Sequence, residues 1–309
     1  MSKNFINKTH IEGVIYEHAL EMKTTGPNSK APGTQYIRGS ISIATDNAMT
    51  NIVPVYFSYV TAKTNKDKDN ATYGVLKNIM DGVIGTHMKD GAEKAGKVRI
   101  DSALGLNDFY PPNSNELVSQ RRNEGGFVHT VDVLQEDENS RNTFECDILI
   151  TNVVRIEADE ERNLPEKVLV KGAIFDFRKA LMPYEFTATN PNAMNYFEDL
   201  GASQSNPVLT KIWGRQVSTT IVKTTVEESA FGEASVKETK STRRDLLITG
   251  AAKEPYIWDD ESTMTAVELK EAIANREVAL AAAKERSQKS AITPATPAAA
   301  PAGSANFNF

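Results

Sequence analysis

Two stretches of this chain carry the same ordered signature, and any fold has to accommodate both. The first runs through Arg38-Gly39-Ser40-Ile41 and Pro54-Val55-Tyr56-Phe57, with Asn70-Ala71 opening a helical run. The second runs through Lys171-Gly172-Ala173-Ile174 and Pro183-Tyr184-Glu185-Phe186, with Asn192-Ala193 inside another short helix. Basic residue, glycine, small residue, isoleucine, then a Pro-x-x-Phe strand, then an Asn-Ala helix: the order recurs with loops of different length. Ordered self-similarity of this kind predicts two copies of one β-rich module.

The flanking sequence supplies the rest of each module. In the first, alternating or β-branched runs predict strands over 11–16, 36–44 and 52–61, a helix over 71–80 stopped by Gly82, and strands over 97–104 and 127–134. A long Pro- and Asn-containing excursion separates those last two strands. In the second, strands are expected over 144–156, 167–177 and 182–189, then a helix capped by Asn190 with Pro191 at its first position and Gly201 after its end. A Thr- and Val-rich hairpin over 208–226 and 235–249 follows. Three meandering strands, a helix and two more strands is the element order of an OB-fold. The chain therefore reads as mainly β with minor α: two tandem OB-like five-stranded barrels over 1–140 and 141–258. Thr265-Ala266-Val267-Glu268 is a capping box that starts a C-terminal helix within 259–289, with a thin apolar stripe of Val267, Leu269, Ile273, Val278 and Leu280. Residues 290–309 are Ala- and Pro-rich, too poor in bulky apolar groups to form a core, and are expected to be a disordered tail ending in Phe307 and Phe309.

The 309 residues, 40% hydrophobic and 25% charged, suit a soluble protein with two real cores. No apolar run has the length of a membrane span, and Met1-Ser2-Lys3-Asn4 lacks a signal-peptide core, so a cytoplasmic location is expected. The single Cys146 falls in the alternating run Phe144, Cys146, Ile148, Ile150 and is expected to be a buried thiol. Enzymatic chemistry has no foothold. The glycines at 82, 85, 91 and 96 lack the Gly-Lys-Ser/Thr ending of a phosphate loop. His10, His18, His87 and His129 fall in no metal-ligand spacing. The sequence thus predicts a non-enzyme with no catalytic residues, no cofactor and no metal, and its acidic clusters read as solvated loops and a helix start.

What remains is a set of basic and aromatic residues on strands. Alternation puts Ile37, Gly39, Ile41 and Ile43 on one face of their strand and Tyr36, Arg38, Ser40 and Ser42 on the other. The matched row of the second copy is Lys171, Ala173, Phe175 and Phe177. A solvated face explains one such strand; recurrence favours stacking of bases and contacts to phosphates. Tyr56 joins this set on the neighbouring strand. Arg99, Arg121, Arg122 and Phe127 lie on or beside the closing hairpin of the first module, and Lys211, Trp213, Arg215, Arg243 and Arg244 in the equivalent part of the second. The net charge of −6 argues against coating nucleic acid by bulk charge, but local potential decides binding.

The stretches Gly125-Gly126-Phe127-Val128-His129, Leu164-Pro165-Glu166-Lys167-Val168 with Lys171-Gly172-Ala173-Ile174, and Trp213-Gly214-Arg215-Gln216-Val217 resemble those of the single-stranded-DNA-binding proteins of tailed bacteriophages. The resemblance covers nearly the whole chain. It implies sequence-tolerant binding of single-stranded DNA in phage replication or recombination, in the cytoplasm of the host. It also implies a C-terminal tip, here Phe307 and Phe309, that recruits replication or recombination proteins, although the acidic residues usual in such a tip are absent. Two other readings use the same barrels: a virion-assembly protein, or a single-strand annealing recombinase.

Overall fold

A computed structural model describes residues 4–111, 114–159, 165–227, 235–257, 259–261 and 263–292, without the side chains of 219–227, 235–243 and 289–292. Its first five-stranded ring is built from β1 (Asn7–His18), β3 (Gln35–Ala44), β4 (Ile52–Thr61), β5 (Lys97–Phe109) and β6 (Val118–Thr130), with β2 (Glu21–Thr24) added at the outer edge of β3. The ring closes in the order β1-β3-β4-β6-β5-β1, every pairing antiparallel except β4–β6. The second ring repeats this order with β7 (Asn142–Ile156), β8 (Lys167–Phe175), β9 (Leu181–Ala188), β10 (Val208–Glu227) and β11 (Ser235–Ala251). It closes as β7-β8-β9-β11-β10-β7, again with one parallel contact, between β9 and β11. In each ring the third and fourth strands are joined through a helix, α1 (Ala71–Met80) in the first and α3 (Pro191–Asp199) in the second; the short α2 (His87–Asp90) follows α1. Meander, helix and closing hairpin make both rings OB-like barrels.

Local chemistry explains the elements. Ile37, Ile41 and Ile43 point into the first barrel and are fully buried with Ile11, Ile15, Val55, Ile100 and Val128. Leu76 and Ile79 turn the apolar side of α1 into the same core, and Gly82 takes the left-handed conformation that ends it (φ +75°). The Asn190 side chain accepts the N–H of Asn192 at 2.9 Å, while Met194 and Phe197 of α3 plug the second barrel. Cys146 lies wholly inside that barrel, and burial pushes its thiol well above the ordinary range.

The sequence repeat and the structural repeat differ in register. Gly39 pairs with Phe57 and Gly172 with Tyr184, whereas Pro54 pairs with Ser42 and Pro183 with Ala173. The two copies are therefore offset by two residues, one side-chain period, which keeps every residue on its expected face. The expected strand over 127–134 is instead the end of β6, because the Pro- and Asn-containing excursion is the far end of one long β5–β6 hairpin. That hairpin leaves its own barrel: Leu104 and Leu106 pack into the core of the second, and the Tyr184 hydroxyl donates to the Gly105 carbonyl at 2.6 Å.

The C-terminal helix α4 (Ala266–Ile292) begins at the expected capping box, with Thr265 N–H donating to Glu268 Oε2 at 3.0 Å and Glu268 N–H to Thr265 Oγ1 at 3.2 Å. It packs on the second barrel through only part of the expected stripe: Leu269 joins the satellite core and Leu280 is partly buried. Val267, Ile273 and Val278 are exposed, whereas Ala272 is buried and Arg276 is half-buried, its guanidinium 2.8 Å from the Asp108 carboxylate of β5. A small residue permits close approach and an ion pair replaces the apolar contact.

Candidate nucleic-acid interface

The two barrels are joined strand to strand. Asn7–Ile11 of β1 pairs with β7, while Val14–His18 pairs with β3, so a continuous sheet crosses from one barrel to the other. On its outer face one transverse row is defined by register alone: Phe127 pairs with Asp101, Asp101 with His10, His10 with Thr143, and Thr143 with Arg215. In a second row Lys8 pairs with Glu145 and Glu145 with Trp213. These residues line a groove of about 1150 Å³ that straddles the seam. At 4.8 Å per strand, its two exposed aromatic rings, Phe127 and Trp213, stand roughly 20 Å apart.

Each ring is held by a local device. Gly125 and Gly126 both have positive φ (+66° and +116°) and form a bulge, two residues facing Ser102 alone on β5. The bulge turns Phe127 outward, where it is 71% exposed. Trp213 lies over Gly250, directly opposite it on β11; a Cβ at that glycine would come 2.4 Å from the indole. The Lys211 ammonium sits 5.7 Å from the centre of the Trp213 ring.

The cations of the groove are largely compensated. Lys211 pairs with Glu145 at 3.1 Å, and Asp101 accepts His10 Nδ1 at 3.0 Å and lies 3.5 Å from Arg99 Nε. The Asp137 carboxyl is held below its ordinary range by hydrogen bonds from Ser140 and Asn139, with the Arg215 charge adding to them. Such a surface offers flat apolar rings and hydrogen-bonding edges with little net charge. It is suited to bases more than to bulk phosphate.

The structure distributes the other expected residues over separate places. Arg99 joins the groove's edge beside Asp101. Tyr36 packs against Tyr59 (centroids 4.6 Å apart) on the outer face of β3 and β4, and Arg38 beside them is paired with Glu21 at 2.7 Å. Tyr56, Arg121, Arg122 and Arg244 line a small cleft at the junction of the barrels. The Arg243 side chain, Phe307 and Phe309 lie outside the described residues. Lys171 is half-buried and 3.4 Å from Glu185.

Phe175, expected from the sequence to stack on bases, is fully buried instead: alternation does place it on the outward face of β8, but that face is covered by the N-terminal segment and α4. It stacks on Phe5 with centroids 4.5 Å apart, in a satellite core with Leu149, Leu209 and Met264. A ring with no accessible surface has nothing to offer a base. Phe177 falls beyond the end of β8, in the turn before β9, so strand alternation does not govern it; it is 85% exposed with Arg178 over its ring.

Lys8, His10 and Tyr59 were missed. The alternation Lys8, His10, Glu12 against Thr9, Ile11, Gly13 carries the signal for the first two, but a strand started at Ile11 discards it. Among the described residues no group of His, Cys, Asp and Glu is arranged to hold a metal ion, and no helix is long and apolar enough to cross a membrane.

No curated protein matches this chain. Among solved structures, a deletion variant of the single-stranded DNA binding protein from Thermus aquaticus is similar, with a TM-score of 0.46 and 9% identity over 82% of this chain and 96% of that one. By sequence, the match to the YorF family runs over residues 6–286, from the first strand into the C-terminal helix, and the chain belongs to that family.

Proposed function

We propose that this protein binds single-stranded DNA without sequence preference, in the replication or recombination of a phage genome within the host cytoplasm. The observation that carries the reading is the continuous sheet across two OB-like barrels, which holds Phe127 and Trp213 on one face beside Lys8, His10, Lys211 and Arg215. Every base has a π-face, so two fixed rings bind a strand whatever its sequence. The setting in a phage life cycle is supported by the sequence resemblance. In this reading the chain carries out no chemistry on the strand, and Phe307 with Phe309 serve as its docking tip for replication or recombination proteins.

Titration of the full chain against fluorescently labelled oligomers of thymidine, of adenosine and of mixed sequence, read by anisotropy, tests the proposal. Comparable affinity for all three, with weaker binding to the matched duplex, is the expected result. Binding to duplex alone, or to no oligomer, would overturn it.

A further inference from the structure

The sequence places the arginine pairs in equivalent parts of two separate barrels, yet Arg121, Arg122 and Arg244 line one cleft of about 80 Å³ where the barrels meet. We infer that this cleft is a composite oxyanion site that takes one phosphate group of a bound strand. The inference rests on the single-strand reading for its ligand, but its geometry stands apart from the groove. Arg215 lines the groove and its neighbour Gln216 lines the cleft, so the two sites lie on opposite faces of β10.

Three observations carry it. The first is uncompensated charge. Arg122 is neutralised by Glu124 at 2.5 Å, but Arg121 and Arg244 are exposed and have no ion-pair partner among the described residues. Asp245 also lines the cleft, but it is itself engaged. The groove is balanced instead, Lys8, Lys211 and Arg215 being matched in its lining by Asp101, Asp137 and Glu145.

The second observation is orientation. The Arg121 guanidinium stands 5.7 Å from the centre of the Tyr184 ring and that of Arg122 stands 5.5 Å from Tyr56. Tyr184 is buried and anchored through its hydroxyl to the Gly105 carbonyl at 2.6 Å. A guanidinium resting on a fixed ring is pre-set, and its donors bind two oxygens of one phosphate at little ordering cost.

The third is rigidity of the frame. Asn123 of β6 and Gln216 of β10 exchange two side-chain hydrogen bonds of 3.0 Å, and the Asn123 amide also donates to the Pro54 carbonyl at 3.2 Å. These amides fix the barrels to each other at the floor of the cleft. Tyr56, Arg121 and Arg122 come from the first barrel and Tyr184 and Arg244 from the second, so neither barrel holds the site alone.

The test is the double variant Arg121→Gln with Arg244→Gln in the full chain, titrated with a labelled thymidine oligomer over a range of salt concentrations. Each phosphate neutralised on a single strand contributes about 0.7 to the slope of log affinity against log salt, so the double variant, which removes the one site, should lose about 0.7, while Phe127→Ala should weaken binding with the slope unchanged. An unchanged slope in the double variant refutes the oxyanion site and leaves the single-strand reading standing. If the parent chain binds no oligomer, the single-strand reading falls, and inorganic pyrophosphate becomes the probe. Stabilisation of the parent against heat by pyrophosphate, absent in the double variant, then supports a site for free phosphate groups, and equal stabilisation of both refutes the site. Should the double variant melt early, Arg244→Gln alone decides the matter, with an expected slope loss of up to about 0.7 and no loss refuting the site.

Discussion

Phe127 and Phe175 were assigned the same role from sequence, and the structure separates them into opposite predictions. Phe127 is 71% exposed, so its truncation removes little buried area, and Phe127→Ala should change the unfolding free energy by no more than about 0.5 kcal/mol. If the ring stacks on a base, the same change should weaken oligomer binding by about 1 to 3 kcal/mol, a rise in Kd of roughly 5- to 150-fold. Phe175 is fully buried against Phe5, Leu149, Leu209 and Met264. Phe175→Ala should therefore cost about 3 to 5 kcal/mol of stability through the cavity it leaves, with unchanged affinity wherever the variant is still folded. Urea unfolding and anisotropy on the same preparations separate the two quantities. A Phe127→Ala variant that unfolds early, or that binds the oligomer as the parent does, would refute the reasoning.

Two further changes probe the frame. Gly126→Ala places a Cβ 2.4 Å from the Asp101 carbonyl oxygen at φ +116° and should disrupt the bulge, lowering stability and oligomer affinity together; Gly125→Ala meets open space and should cost only about 1 to 2 kcal/mol of stability, so equal affinity losses in both would count against the bulge as the device that aims Phe127. Burial pushes the Tyr256 hydroxyl up to about 12, with the Asp147 charge adding to it, so stability is fully present below pH 10 and declines as pH rises towards 12; denaturant midpoints across that window should fall less steeply in Tyr256→Phe, and parallel curves would remove Tyr256 from the account.

Much of the architecture is local and was legible as such. Ile37, Ile41 and Ile43 announce their buried face by alternation, and Asn190-Pro191 and Thr265 to Glu268 announce helix starts, because each depends on residues within a turn or a strand. What was hidden depends on partners far along the chain. Phe175 is covered by Phe5, about 170 residues away, and nothing in its own strand records that. The β5–β6 hairpin is longer than the sequence predicts because its β5 side packs Leu104 and Leu106 into another module while Val118 to Arg121 stay exposed, so its residues do not alternate as a free hairpin's would. The arginine pairs could be noticed in the sequence but not brought together, since their meeting requires the docked barrels. Trp213, Lys211 and Arg215 were legible because they alternate on one strand whose other face is core.

The chain suggests a division near residue 140, but the packing does not divide there. Strand β1 pairs with strands of both rings, through Asn7–Ile11 on β7 and Val14–His18 on β3, and the β5–β6 hairpin inserts Leu104 and Leu106 into the second core. The Arg276 to Asp108 ion pair then ties α4, which rests on the second barrel, to the same hairpin. Pulling the barrels apart would expose part of the second core and strand a half-buried guanidinium, a cost of several kcal/mol by the measure of either loss alone. The separation of Phe127 from Trp213 is consequently a property of the folded chain and is not set by a linker. Two tethered barrels must give up orientational freedom when both engage one ligand. Here that freedom is already lost on folding, so if the rings stack on bases as proposed, more of each contact remains as affinity. On the same proposal, this fixity would limit the spacing of bases the two rings could accept, since neither barrel can shift to meet a strand that arrives out of step.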